Sequence, residues 1–141
     1  MSDPSSFAAL PERQLPDEQV EEYRSVYVDL LGFVPPRIQA RTDLLARLDP
    51  ELLRLQEEMR QHCMYPDCFD TKTSQLILFA ILLANLQDAA RLHAIAAHRA
   101  GATFEELSAV VNLVFLFRGL SAANIGAEIL QGIAKTSGES R

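Results

Sequence analysis

His93 lies within an alanine-rich stretch whose spacing predicts a helix. Residues 91–103 are RLHAIAAHRAGAT, and the residues around His93 at helical spacing are alanines: Ala89, Ala90, Ala96, Ala97 and Ala100. Alanine favours a helix and lets a neighbouring helix approach closely. The imidazole is therefore either a core histidine with partnered nitrogens or an acid–base group in a dry pocket, where burial and nearby charge set its proton affinity. His98 points away from His93 and is expected at the surface.

A second candidate is the pair Glu58 and His62, which stand four residues apart in EEMRQH. Side chains at this spacing can touch on a helix, and a carboxylate that orients an imidazole is a recurring catalytic unit. The alternative is a surface pair with no chemical role. His62 continues a predicted inward stripe formed by Leu52, Leu55 and Met59, and this position favours the functional interpretation.

Arg118 is the third candidate, because it continues the apolar face formed by Leu107, Val110, Val111 and Val114. A guanidinium there can hold a carboxylate through two parallel hydrogen bonds. The alternative is that it interacts with the carbonyl groups at a helix end, where a cation is also favourable. The sequence leaves both interpretations open.

Other kinds of site find no support in the sequence. His62, Cys63, Asp67 and Cys68 are close together, but a C-x4-C spacing without a second ligand pair does not match a zinc site. The sequence has no glycine-rich phosphate loop, no nucleophile elbow and no dinucleotide fingerprint. We therefore predict neither a metal nor a bound cofactor.

Composition narrows the class of protein further. The 141 residues suit one domain, and the net charge of −6 argues against a nucleic-acid or anionic-membrane partner. The longest apolar run, residues 76–84, is about half the length that spans a bilayer. Two cysteines are too few for a disulfide framework, and no signal peptide is recognised. We expect a soluble, cytoplasmic domain.

The elements that position these residues are all predicted to be helices. All seven prolines precede residue 67, so the second half is free to be continuously helical. Residues 1–16 are predicted to form an extended arm. In the first half of the chain we predict a helix at 17–31 with Asp17 as N-cap, a short helix that includes 44–48, and a helix that begins at Pro50 after the cap Asp49. In the second half we predict helices at 71–86 after the cap Asp70, at 87–100, at 104–118 after a Thr103–Glu106 capping box, and at 121–135. The helical domain covers 17–135, and 136–141 is a polar tail. Helix 71–86 is apolar almost all round and should be central and buried.

With these elements placed, residues 71–124 resemble the carboxymuconolactone decarboxylase family, which shares an all-α superfamily with the alkyl hydroperoxidase D proteins. The likeness covers roughly residues 25–135. The matching positions are Lys72 to Ile77, His93, Ala97, Gly101, Ala102, Thr103, Glu105, Glu106, Gly119 and Ala122 to Asn124. The resemblance implies a single-domain bundle of six or seven helices, a homo-oligomer (trimer or hexamer) and activity without a cofactor.

Two positions separate this chain from the peroxidase branch of that superfamily. The peroxidases carry a Cys-x-x-Cys pair where this chain has Leu86 and Ala89. Without thiols at these positions, no nucleophile can attack a peroxide there. The chain is therefore more similar to the decarboxylase branch, although Ser121 stands where those proteins usually have proline and Arg118 where they are usually uncharged.

The resemblance gives the candidate residues specific roles. It implies a lyase or isomerase acting on a small enolisable carboxylated or lactone-like compound. His93 would be the proton donor or oxyanion partner, Arg118 the carboxylate anchor, and Glu58 with His62 an auxiliary pair. The alternatives are proton transfer or cyclisation without decarboxylation, and a helical ligand-binding or scaffold protein that has kept the fold and lost the chemistry.

Overall fold

The computed structural model describes residues 9–139, and within this range it contains helices and no strand. The prediction of an all-α fold is confirmed. The helices are α1 (Asp17–Leu31), α2 (Pro36–Leu48), α3 (Pro50–Met64), α4 (Thr71–Ala84), α5 (Ala90–Arg99), α6 (Phe104–Arg118) and α7 (Leu120–Glu139). No helix in these residues is long and apolar enough to cross a bilayer.

The chain forms two compact units that divide after His62. In the predicted arm, residues 1–8 lie outside the described range, while residues 9–16 are not helical. The described part of the arm contacts α2, because the backbone N–H of Gln14 donates to the carbonyl of Ala46 at 2.9 Å and Arg13 pairs with Asp43 at 2.7 Å. At the other end, α7 continues to Glu139, so residues 136–139 of the predicted tail are helical and 140–141 lie outside the description.

The first unit is built on α1 and its contacts with α2. Both ends of α1 fall where the sequence places them, and Gly32 ends the helix in a left-handed conformation with φ 87°. Asp17 is the first helical residue rather than the N-cap, which is Pro16. Buried Val20, Ala46 and Leu53 form the apolar core of this unit.

The predicted inward stripe of α3 is wrong. Leu52, Leu55 and Met59 are exposed, and the buried residues of this helix are Leu53 and Glu57. The predicted face differs from the observed one because sequence periodicity alone does not assign a carboxylate to a buried position. Glu57 occupies that position because Tyr27 and Arg41 hydrogen-bond to it.

The second unit packs α4, α5, α6 and α7 around one apolar core. Phe79 and Leu83 of α4, Leu107 of α6 and Ala122 of α7 are fully or almost fully buried in it. α4 contacts the other three helices of the unit, so its predicted central position is confirmed. Within the single chain it is not buried on every side, because Ile77 and Ile81 are about half exposed.

The turn between α4 and α5 is longer than the sequence suggests. α4 ends at Ala84, Leu86 adopts a left-handed conformation with φ 55°, and α5 begins at Ala90. The N–H of Leu86 donates to the carbonyl of Leu83, and that of Gln87 donates to the carbonyl of Leu82. These bonds form a Schellman-type helix end, where glycine is usual. Leucine at the left-handed position explains why sequence signals did not mark this end.

Candidate functional site

His93 is held in the second unit by a buried amide. The Nδ1 atom of His93 lies 2.7 Å from Oε1 of Gln75 on α4, and the imidazole is half-buried. Of the surrounding alanines, Ala90, Ala96 and Ala97 are buried, Ala89 is half-buried and Ala100 is exposed. The small residues therefore let α5 bring the ring against α4.

Gln75 was not identified from the sequence as a site residue, although it is a hydrogen-bond partner of His93. Its side chain is 0% exposed, and its Nε2 donates to the thioether Sδ of Met64 at 3.1 Å. The signal in the sequence was a single amide at the start of the apolar run 76–84. A buried amide needs hydrogen-bond partners, and those partners here come from α3 and α5.

Hydrogen bonds at the starts of α4 and α6 join the elements around this site. Asp70 caps α4 by accepting from the backbone N–H of Thr73, and Thr103 and Glu106 form the predicted capping box of α6. Lys72 donates to Glu106 at 3.0 Å, so the two helix starts are tied together. Several residues of the family-like motif thus position helices.

The carboxylates at these helix starts are held in the charged form. Hydrogen bonds from Thr73 lower the pKa of Asp70. The backbone N–H of Thr103 and then Lys72 lower the pKa of Glu106. A carboxyl group that keeps its charge at neutral pH is a poor proton donor.

His98 also has a defined place in the second unit, away from the Gln75 amide. Its Nδ1 lies 3.1 Å from the carbonyl oxygen of Ala102, and its ring is tilted against Phe104 with centroids 4.9 Å apart. It is half-buried rather than on the surface as expected from the sequence. The contacts describe a histidine that supports the turn between α5 and α6.

Arg118 lies at the end of α6, where it contacts the end of α4. Its Nε donates to the carbonyl of Ala84 at 2.8 Å, and the residue is exposed. Ala84 follows Gln75 by nine residues, which corresponds to roughly 13 Å of helix rise. The contact of Arg118 thus lies about two and a half turns along α4 from Gln75, and the hydrogen bond favours the helix-end interpretation.

Glu58 and His62 both lie on the first unit's part of α3, and both are exposed. The carboxylate of Glu58 accepts two hydrogen bonds from Arg54, at 2.6 and 2.7 Å. In the described residues, no hydrogen bond or ion pair joins Glu58 to His62. Glu58 and Arg54 instead line a groove of about 550 Å³ in the first unit, between α1 and α3.

A buried polar cluster in the first unit was also missed from the sequence. Tyr27 and Arg41 donate to the carboxylate of Glu57, and the guanidinium of Arg60 lies 4.0 Å from the centre of the Tyr27 ring. Arg41 donates to the Tyr27 hydroxyl as well, at 3.0 Å. The buried Glu57 carboxylate thus accepts hydrogen bonds from both Tyr27 and Arg41, and a buried charge paired in this way is typical of a structural network.

Metal-ligand side chains do not gather in the part of the chain that the structure describes. No group of three or more His, Cys, Asp or Glu residues there could hold a metal ion. Cys63 and Cys68 are both exposed free cysteines.

Comparison with protein families identifies a match over the helical part of the chain. The model of the carboxymuconolactone decarboxylase family matches residues 50–131, more than half of the chain. The matched range begins at α3, continues into α7, and includes Gln75 and His93. No curated protein and no solved structure matches.

Proposed function

The chain belongs to the carboxymuconolactone decarboxylase family, and from this premise we propose that it is a lyase or isomerase acting without a cofactor. Its substrate is a small enolisable compound, carboxylated or lactone-like. The observation that carries the proposal is the half-buried ring of His93, which lies 2.7 Å from a fully buried amide within the family-matched region.

The reaction that fits this arrangement is decarboxylation coupled to proton transfer. The bond between the ring carbon and the carboxylate breaks, CO2 leaves, and the electron pair enters the conjugated system as a dienolate. A proton delivered to carbon then completes the step. His93 supplies that proton, because an imidazole is the side chain best suited to donate and recover a proton near neutral pH.

The surroundings of His93 support this role. Its helix contributes Ala90, Ala94 and Ala97 to the buried apolar core of the second unit, and apolar surroundings strengthen the electrostatic interactions that stabilise an enolate. Glu58, His62 and Arg118 stay predictions as site residues. Proton transfer is assigned here to His93 alone.

We also propose that the protein is a homo-oligomer, a trimer or a hexamer as the family suggests. The second unit exposes large apolar side chains on three helices: Ile77, Ile81, Leu113, Leu116, Phe117 and Leu120. Apolar surface of this kind is usually covered by a partner.

The test of the catalytic proposal compares two histidines of the same helix. The wild-type protein is assayed for CO2 release and loss of substrate absorbance with a panel of small lactone acids and other enolisable acids. His93→Gln should lower kcat by about 10²- to 10⁴-fold with little change in KM, because general acid–base catalysis acts in the transition state. The control His98→Gln, which lies away from the Gln75 amide, should retain most of the activity.

Two results would contradict the proposal. Turnover of a panel substrate by His93→Gln at the wild-type rate would remove His93 from the mechanism. A wild-type protein that binds panel compounds but converts none of them would favour the ligand-binding alternative. Circular dichroism of both variants separates loss of catalysis from loss of fold.

A further inference from the structure

We infer that Met64 is a positioning residue for His93: its thioether sets the orientation of the Gln75 amide, and the amide sets which nitrogen of His93 exchanges the proton. The consequence for turnover rests on the function proposed above. The effect on the ring itself does not, and it can be measured without a substrate.

The three side chains form a short chain of hydrogen bonds within the second unit. Met64 is the last residue of α3, Gln75 lies in the first turns of α4, and His93 lies on α5. Nε2 of Gln75 is 3.1 Å from Sδ of Met64, and Oε1 of Gln75 is 2.7 Å from Nδ1 of His93. Gln75 is fully buried, so bulk water does not replace either partner.

A thioether carries lone pairs and no proton, so it can only accept a hydrogen bond. The amide of Gln75 therefore gains a bond to Met64 when its NH2 group faces the sulfur. If the amide is turned over, its oxygen faces the sulfur and that bond is lost. Met64 thus favours the orientation that presents Oε1 to His93, and it is the contact that distinguishes the two ends of the amide.

The amide orientation decides the tautomer of the neutral imidazole. Oε1 can only accept, so Nδ1 of His93 carries the proton and donates it to Gln75. In the neutral ring Nε2 then has the lone pair, and it is the nitrogen that takes up and returns a proton. With the amide reversed, its NH2 group would donate to Nδ1 and the proton would move to Nε2.

The local fold keeps Met64 in reach of the amide. The segment between α3 and α4 contains a turn closed by the N–H of Phe69 and the carbonyl of Pro66 at 3.3 Å. Asp70 then caps α4, five residues before Gln75. The sulfur and the amide are thus presented by two helix ends that a short, hydrogen-bonded loop connects.

The tautomer is measured by long-range proton–nitrogen NMR of the ¹⁵N-labelled protein at a pH where the ring is neutral. In the wild type, we expect a protonated Nδ1 and an unprotonated Nε2 for His93. In Met64→Leu, the ratio of this tautomer to the reversed one should fall about two- to fivefold, since the lost bond is a weak one. Met59→Leu makes the same substitution at an exposed position of the same helix and should leave the ratio unchanged.

His98 is an internal control in the same spectra. Its Nδ1 faces the backbone carbonyl of Ala102, which cannot reverse. Its tautomer should therefore be the same in all three proteins. A wild-type His93 with its proton on Nε2 would overturn the inference, and so would an unchanged His93 ratio in Met64→Leu.

A double-mutant cycle with Gln75→Glu separates the action of the sulfur on the amide from a general effect of Met64→Leu on the surrounding structure. A carboxylate accepts through either oxygen, so it holds Nδ1–H of His93 without help from Met64. In the Gln75→Glu background, Met64→Leu should leave the tautomer unchanged, and the kcat–pH profile should shift to higher pH because the carboxylate stabilises the protonated ring. An equal effect of Met64→Leu on the tautomer in both backgrounds would contradict the role assigned to the sulfur.

The two proposals fail in different ways. The expected tautomer together with a fully active His93→Gln would refute the catalytic role and leave the positioning intact. An inactive His93→Gln, together with a reversed tautomer in the wild type or an unchanged tautomer ratio in Met64→Leu, would refute the positioning and leave the catalytic role intact. Where both hold, kcat of Met64→Leu falls in proportion to the population of the Nδ1–H tautomer, while KM is unchanged.

Discussion

Tyr27 donates its hydroxyl proton to both carboxylate oxygens of Glu57, at 2.9 and 3.2 Å, in the buried part of the first unit. Glu57 is only 3% exposed, and its carboxylate also accepts a hydrogen bond from Arg41. Burial is the main cause that raises the pKa of Tyr27, the nearby Arg60 opposes the rise, and Glu57 adds to it, so that the pKa is about 12. The phenol therefore keeps its proton over a range of pH in which an unfolded tyrosine loses it.

This shift predicts a loss of stability at alkaline pH. Since the pKa of the folded state lies above the unfolded value of about 10, the contribution of Tyr27 is complete below pH 10 and declines as pH rises towards 12. At pH 11 the loss is about 1 kcal/mol. Tyr27→Phe should be less stable than wild type at pH 7 and should lack this part of the alkaline decline in the free energy of unfolding.

The control for that measurement is Tyr65→Phe, because Tyr65 is exposed. Urea unfolding at pH 7, 9 and 11 gives the three free energies for each protein. If the free energy of unfolding fell by the same amount with pH in wild type and Tyr27→Phe, the raised pKa of the buried phenol would be contradicted.

Gly126 of α7 gives a prediction about packing. A Cβ atom at this position would lie 2.7 and 2.8 Å from the Cγ atoms of Val111 on α6, closer than real Cβ contacts. Gly126→Ala should lower the free energy of unfolding by up to about 2 kcal/mol, because overpacking outweighs the gain in helix propensity. A Cβ atom at Gly132 would have nothing within 4 Å, so Gly132→Ala should raise the free energy of unfolding by about 0.5–1 kcal/mol. Denaturant unfolding measures both, and a stabilised Gly126→Ala would refute the close approach of α6 and α7.

Much of the fold could be predicted because helix ends carry local signals. Asp70, the Thr103–Glu106 box and Gly32 each act within a few residues of the end that they mark, and each was placed correctly. Leu86 shows the limit, because a leucine in a left-handed conformation has no sequence signature.

The buried polar contacts were beyond sequence reasoning for a different reason. Glu57 is stabilised by Tyr27, which lies 30 residues earlier, and His93 is held by Gln75, 18 residues earlier. Periodicity ranks positions by apolarity, so it placed Leu52 and Leu55 inward and left Glu57 outside. Only the packing of the helices shows which polar residues have partners and can be buried.

Arg118 offers a test between its two interpretations. If its role is the hydrogen bond to the carbonyl of Ala84, Arg118→Met should lower the free energy of unfolding by about 1–2 kcal/mol. The KM for a carboxylated substrate should then be unchanged. A carboxylate anchor would instead raise KM about ten- to a hundredfold. Arg99→Met, another exposed arginine of the second unit, is the control for the loss of a positive charge.

Self-association should depend on Phe117, which is 96% exposed at the end of α6. A carboxylate placed in a buried apolar interface is strongly unfavourable, so Phe117→Asp should weaken the assembly at least about tenfold. Ser108→Asp adds the same charge at another exposed position of α6 and should leave the assembly intact. Multi-angle light scattering at micromolar concentration should give three or six times the chain mass for wild type and Ser108→Asp, and a smaller mass for Phe117→Asp. A monomeric wild type would refute the assembly. An intact Phe117→Asp oligomer would place the interface away from the end of α6.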